Sequence, residues 1–144
     1  MVSLKSVKYL VIHCSATPPQ MDIDVSDIRR WHLDRGWSDV GYHYIITRTG
    51  SLQTGRGIDT RGAHVKGHNS HSLGICLVGG VDIEGEPDNN FTSDQFETLH
   101  GLLGWLKNGF PDAKILGHRD FEGVSKACPS MDVREWLTNH PKLQ

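Results

Sequence analysis

The chain has 144 residues, of which 37% are hydrophobic and 16 are glycine, the size and composition of one globular domain rather than of a disordered chain. No apolar run approaches the roughly 18 residues of a membrane-spanning helix, so membrane insertion is not expected. The net charge is −2 with Lys and Arg scattered along the chain, which argues against nucleic acid as the main partner.

Residues 7–13 (VKYLVIH) make a short β-branched and aromatic run and read as a buried strand. The apolar part of this N-terminus, residues 9–12, is too short for the core of a secretory signal and has no small-residue cleavage site. The chain is therefore expected to be made in the cytoplasm without an export signal. Pro18 and Pro19 mark a turn-rich stretch, after which Ser26 is expected to cap a helix running to about Arg35 and stopped by Gly36. Residues 42–47 (YHYIIT) read as a second strand, and Thr49-Gly50 as the turn of a hairpin into Leu52 and Gln53. Residues 55–72 are rich in Gly, His and Asn without a period, as in a long ordered loop of the functional or mobile kind.

Residues 73–78 (LGICLV) read as another buried strand, closed by Gly79-Gly80 and followed by a polar surface loop, GVDIEGEPDNN. The clearest helix opens with Thr92 and Gln95 as a capping box. Phe96, Leu99, Leu102, Leu103 and Leu106 form its apolar stripe, and Gly109 and Pro111 end it. A short strand over residues 114–117, a loop over 118–129 and a last helix over 131–138 complete the chain. Strands alternating with helices predict an α/β fold. The expected architecture is a single domain over residues 1–144, with a mixed central sheet of about five strands flanked by about three helices.

Nine histidines are many for so short a chain, and histidine does most metal and proton chemistry near neutral pH. His13 and His118 each fall at the end of a predicted strand, where ligands collect in open α/β sheets. Cys128 follows in the loop after His118. Two imidazoles and a thiolate with an open fourth position make a known class of catalytic zinc site. The spacing alone leaves a plainer reading open, in which both histidines simply end strands and Cys128 is a small buried hydrophobe. Cys14 and Cys76, inside strand-like runs, read as buried hydrophobes. Three cysteines at irregular spacing do not make a disulfide framework.

The stretches VIHCSATP, GWSDVGYHYII, GAHVKGHNSHSLGICLVGG, ILGHRD and KACPS occur in this order. Together they resemble the zinc-dependent N-acetylmuramoyl-L-alanine amidases, the type 2 amidases related to peptidoglycan recognition proteins, and among these the T-seven-like coliphage branch. The resemblance runs from about residue 7 to residue 136. It implies Zn²⁺ as cofactor, held by His13, His118 and Cys128, with Tyr42 beside the metal and Lys126 two residues before the cysteine. Against that branch the N-terminal arm is shorter and the loop from His118 to Cys128 is slightly longer.

The implied reaction is hydrolysis of the amide between the lactyl group of N-acetylmuramic acid and L-alanine in peptidoglycan. Zinc-bound water attacks the carbonyl, Tyr42 orients that water and shuttles its proton, and Lys126 stabilises the oxyanion. The residues around them add expectations for the substrate groove. His64 and Asn69 in the long loop are expected to hydrogen-bond sugar or peptide, and Trp37 to border the groove. His68 and His71 are read equally well as solvated loop residues. Strand alternation sends His43 to the face opposite Tyr42. His32, His100 and His140 read as helix-surface or tail residues, while Trp31, Trp105 and Trp136 read as core. The resemblance and the missing export signal suggest a monomeric phage or prophage endolysin that reaches the wall through a separate holin-type pore. The alternatives are a non-catalytic muropeptide-binding module, a cysteine hydrolase, or a regulator that binds another protein on the same fold.

Overall fold

The computed structural model describes residues 6–144; the N-terminal arm beyond them lies outside the described residues. Its centre is a five-stranded sheet in the order β3-β2-β4-β1-β5. The middle strand, β4 (Ser72–Leu77), pairs in parallel with β1 (Tyr9–Cys14) and with β2 (Tyr44–Ile46). β5 (Lys114–Gly117) runs parallel to β1 at one edge. At the other edge β3 (Leu52–Thr54) turns back antiparallel to β2, closing the expected hairpin and making the sheet mixed. Every residue of β4 and all but the first of β1 are buried. A parallel strand covered on both faces reads as an unbroken apolar run, as these two do.

One face carries α2 (Ser93–Gly109) and α3 (Val133–Thr138). Leu99, Leu103, Leu106 and Val133 pack there against Leu10, Ile12, Ile46, Ile75 and Leu77. On the other face α1 (Val25–Asp34) brings Ile28 against Ile45, Cys76 and Val78. Nearby, Val65 and Phe121 from the long loops cover Val11. The alternation of Ile45 and Cys76 with Ile46 and Ile75 between the two faces is the period of a strand. Cys14 and Cys76 are buried, as expected.

The capping box of α2 forms as read from Thr92 and Gln95, and Gln95 is itself fully buried. Its Nε2 donates to the carbonyls of Ile46 and Val78 at 3.1 and 2.8 Å, tying the start of the helix to the carboxyl ends of two strands. The cap of α1 is Asp24, two residues before the expected Ser26. Its carboxylate accepts the amides of Ser26 and Asp27, and Asp27 returns the bond to the Asp24 amide. Asp24 has the extended backbone of a cap, whereas Ser26 already lies in the first turn, where its amide is one of those the cap satisfies.

β2 begins at Tyr44 rather than residue 42: the His43 amide still donates to the Gly74 carbonyl of β4, but the carbonyls of Gly41, Tyr42 and His43 accept from Ala63, Arg56 and Gly55 of the long loop. α3 begins at Val133, capped by Asp132. Trp105 is not core: 62% of it is exposed, since a stripe at Leu99, Leu102, Leu103 and Leu106 leaves position 105 on the flank of the helix. Among the described residues no helix is long and apolar enough to cross a membrane.

Candidate functional site

Parallel pairing places the carboxyl ends of β1, β4 and β5 along one edge of the sheet, and the site is built there. His13 is the penultimate residue of β1 and is 2% exposed. His118 opens a short 3-10 turn directly after β5, with its ring 4.7 Å from that of His13 between centroids. The loop that follows folds back, because the Arg119 amide donates to the carbonyl of Cys128 at 2.8 Å. This sets the Cys128 Sγ 3.9 Å from His13 Nδ1.

One ligand atom from each of His13, His118 and Cys128 lies within 4.8 Å of the others, and among the described residues this is the one His/Cys/Asp/Glu cluster able to hold a metal ion. Tetrahedral zinc bonds would put a nitrogen and a sulfur ligand about 3.6 Å apart, so the nitrogen–sulfur separation needs to close by only a few tenths of an ångström. The electrostatics fit as well. Burial, followed by the charges of His64, His118 and Lys126, holds His13 well below the usual histidine range, and burial with Lys126 lowers His118. Both imidazoles are therefore neutral donors at pH 7. A hydrogen bond with the Cys14 thiol and burial push the Cys128 thiol up, while the Cys14 backbone amide, 3.3 Å from Sγ, favours its thiolate. A divalent cation bound there would decide that contest, since a coordinating thiol is deprotonated outright.

Tyr42 lies just ahead of β2 with its ring 5.1 Å from that of His13. Burial, followed by the neighbouring Cys76, Cys128 and Cys14 thiols, raises its phenol well above the usual value. It lines a cavity of about 260 Å³ together with His13, His118, Cys128, Lys126 and His32. This cavity opens into a groove of about 440 Å³, and Trp37, His64, His118 and Lys126 border both. Lys126 is exposed at their shared rim.

Trp37 borders the groove, its ring tilted 52° to that of His32 at 4.5 Å between centroids, with the Arg35 guanidinium 5.6 Å from its own ring. Asn69 also lines the groove, but its Oδ1 accepts the amides of His64 and Val65 at 2.9 and 2.8 Å and so shapes the loop. Both ring nitrogens of His64 are engaged within the protein: Nδ1 lies 2.8 Å from His13 Nε2, and Nε2 lies 3.3 Å from Ser72 Oγ.

Several histidines depart from the sequence reading. His32 is 6% exposed rather than on the helix surface, and its Nδ1 accepts the Gly41 amide at 2.8 Å. Burial, with Arg35 and Arg56 nearby, lowers it to about 4. Its position four residues after Ile28 on the apolar face of α1 was the available signal. His43 is buried too, donating from Nε2 to the Thr60 carbonyl and accepting the Gly74 amide at Nδ1. His68 and His71 are not free loop residues: both pack against the Tyr9 ring.

The description "N-acetylmuramoyl-L-alanine amidase" matches residues 3–131. The chain is 50% identical over 126 residues to an endolysin of Enterobacteria phage K11, covering 88% of this chain and 82% of that one. With an endolysin of Escherichia phage T7 it shares 44% identity over 132 residues, covering 92% and 86%. Among solved structures, peptidoglycan recognition protein-LE in complex with tracheal cytotoxin superposes with a TM-score of 0.76 at 28% identity, covering 95% of this chain and 83% of that one. With the fold, the edge-of-sheet site and this breadth of identity in agreement, the chain belongs to the N-acetylmuramoyl-L-alanine amidase family of amide hydrolases.

Proposed function

We propose that this chain is a phage or prophage endolysin that hydrolyses the amide between the lactyl group of N-acetylmuramic acid and L-alanine in bacterial peptidoglycan, with zinc held by His13, His118 and Cys128. The observation that carries this reading is the convergence of those three ligand atoms within 4.8 Å on the floor of a groove, in a chain half identical to a phage endolysin. The recognition protein solved with a monomeric diaminopimelic acid-type peptidoglycan supports a muropeptide as the occupant of that groove.

Zinc in this position supplies a Lewis acid and brings the pKa of a coordinated water from 15.7 to about 7. The residues of the chain do the rest. His13 and His118 stay neutral and so remain ligands. Tyr42 hydrogen-bonds the attacking water, passes its phenolic proton to the L-alanine nitrogen as the C–N bond breaks, and regains a proton from the oxygen that came from that water. Lys126, at the rim between cavity and groove, places an ammonium beside the carbonyl oxygen as negative charge develops there, an effect worth about 2.7–4 kcal/mol per donor in other hydrolases. Trp37 and the 63–69 loop form the wall along which the glycan or peptide lies.

The test is release of stem peptides from purified peptidoglycan, scored as new L-alanine amino groups. Release that stops with a chelator and returns with Zn²⁺ is the expected result. Release that survives thorough chelation would move the reaction to a cysteine hydrolase. Zinc binding without release from several wall types would favour a muropeptide-binding or regulatory protein.

A further inference from the structure

Both ring nitrogens of His64 have partners within the protein, and the groups behind it form a line. The Ser72 hydroxyl lies 2.7 Å from the carbonyl of His68 and 3.3 Å from His64 Nε2. A carbonyl can only accept, so the one proton of Ser72 goes to His68. Ser72 Oγ is then left to accept, which puts the proton of neutral His64 on Nε2 and bares its Nδ1. That Nδ1 sits 2.8 Å from His13 Nε2, which must therefore carry a proton. The consequence falls on the far side of His13: its Nδ1, the atom 3.9 Å from Cys128 Sγ, keeps a free lone pair aimed at the cluster. A backbone carbonyl three groups away thus selects the ligand tautomer before any metal arrives.

The geometry is held from outside as well. A Cβ on Gly74 of β4 would stand 2.7 Å from His64 Cγ, and one on Gly62 would stand 2.7 Å from His64 Cδ2. The ring therefore lies against bare backbone on strand and loop, and Asn69 anchors the loop through the His64 amide.

We propose that His64, backed by Ser72, is a positioning residue that fixes the tautomer and plane of His13 for metal binding, rather than a substrate ligand. The proposal rests on the reading of His13, His118 and Cys128 as a zinc centre. Metal-ligating histidines commonly donate their second ring N–H to a fixed acceptor, and loss of such an acceptor weakens metal binding about 10–100-fold.

The test compares zinc dissociation constants, by competition with a chromogenic chelator, for the natural protein and the His64→Phe, His64→Asn and Ser72→Ala variants. Phe keeps a ring on Gly74 without an acceptor, and zinc binding should weaken about 10–100-fold. Asn puts a carbonyl oxygen near the place of Nδ1 and should recover most of the loss. Ser72→Ala should cost a few-fold. Long-range ¹H–¹⁵N spectra of the metal-free natural protein should show both His13 and His64 protonated on Nε2, a readout that stands even if His64→Phe does not fold. A proton on His64 Nδ1 would overturn the proposal. So would unchanged zinc affinity in His64→Phe with only KM raised, which would make His64 a substrate contact while leaving the zinc centre intact. A natural protein that binds no zinc would instead sink the zinc reading, and this inference with it.

Discussion

The floor of the groove is made of strand ends and interlocked imidazoles, whereas its rim is made of loops bearing exposed cations and a half-buried indole. On the floor, His13 is fixed by its place in β1, by His64 behind it and by Cys128 beside it. At the rim, Lys126 and Trp37 project from loops over the opening. Over-determined geometry suits a metal centre, where small errors in ligand position are expensive, while a looser rim suits a polymeric substrate that must be threaded and released. Substitutions on the floor should therefore be read out in metal binding, and substitutions at the rim in turnover or substrate affinity.

The sharpest way to break that division is Cys128→Ser. Loss of the thiolate should reduce zinc affinity by more than the roughly 100-fold typical of losing a group behind a ligand and take stem-peptide release to background. Metal content after dialysis checks this, and a Ser variant that retained zinc and activity would remove Cys128 from the floor. Next come Tyr42→Phe and Lys126→Ala, which should leave zinc content intact yet lower kcat by about 100- to 1,000-fold. A loss of zinc in either variant would mean that the residue belongs to the floor after all. Trp37→Ala should raise KM several-fold with little change in kcat, measured on soluble muropeptides.

The smallest effect concerns pH. His32 is neutral in the folded chain down to about pH 4, against an ordinary value of 6.5, so between these limits the unfolded chain binds more protons than the folded one. Stability should therefore rise with pH across that window and fall away as the solution is acidified toward pH 4. His43 and His64, both lowered by desolvation, act with the same sign. Thermal melts of metal-free protein at pH 7 and pH 5 should differ, and His32→Asn, which keeps an acceptor for the Gly41 amide, should remove part of the slope, on the order of 1 kcal/mol. An unchanged slope would mean that His32 is protonated without penalty.

How much of this was legible beforehand varied with the range of the interaction. Local signals held: the Thr92–Gln95 box, the Thr49-Gly50 turn and the short strand before His118 each depend on a few neighbouring residues. The placement of His13 and His118 at strand ends needed only that their strands run parallel to bring both to one edge, and they do. The relay from His13 through His64 to Ser72 was not legible, because it depends on the path of an aperiodic loop across β4. The burial of His32 was legible in its spacing from Ile28 on one face of α1, whereas its partner, the backbone amide of Gly41, was not, because side-chain patterning says nothing of backbone partners. Ser26 was a sound candidate cap, but Asp24 offered a charge at the same helix end.

The order of the ligands along the chain has a consequence for how the molecule comes into being. The first belongs to β1, near the start, while the other two arrive only with β5 and the turn beyond it, and β5 is an edge strand of four residues held mainly by β1. A nascent or C-terminally clipped chain that ends before residue 118 would have neither of the later ligands. Once complete, the metal would act as a clasp between the two ends of the chain. Metal at a thousandfold excess over its dissociation constant would then add about 4.1 kcal/mol to the stability of the closed form, and chelation would loosen first the strand that was threaded last.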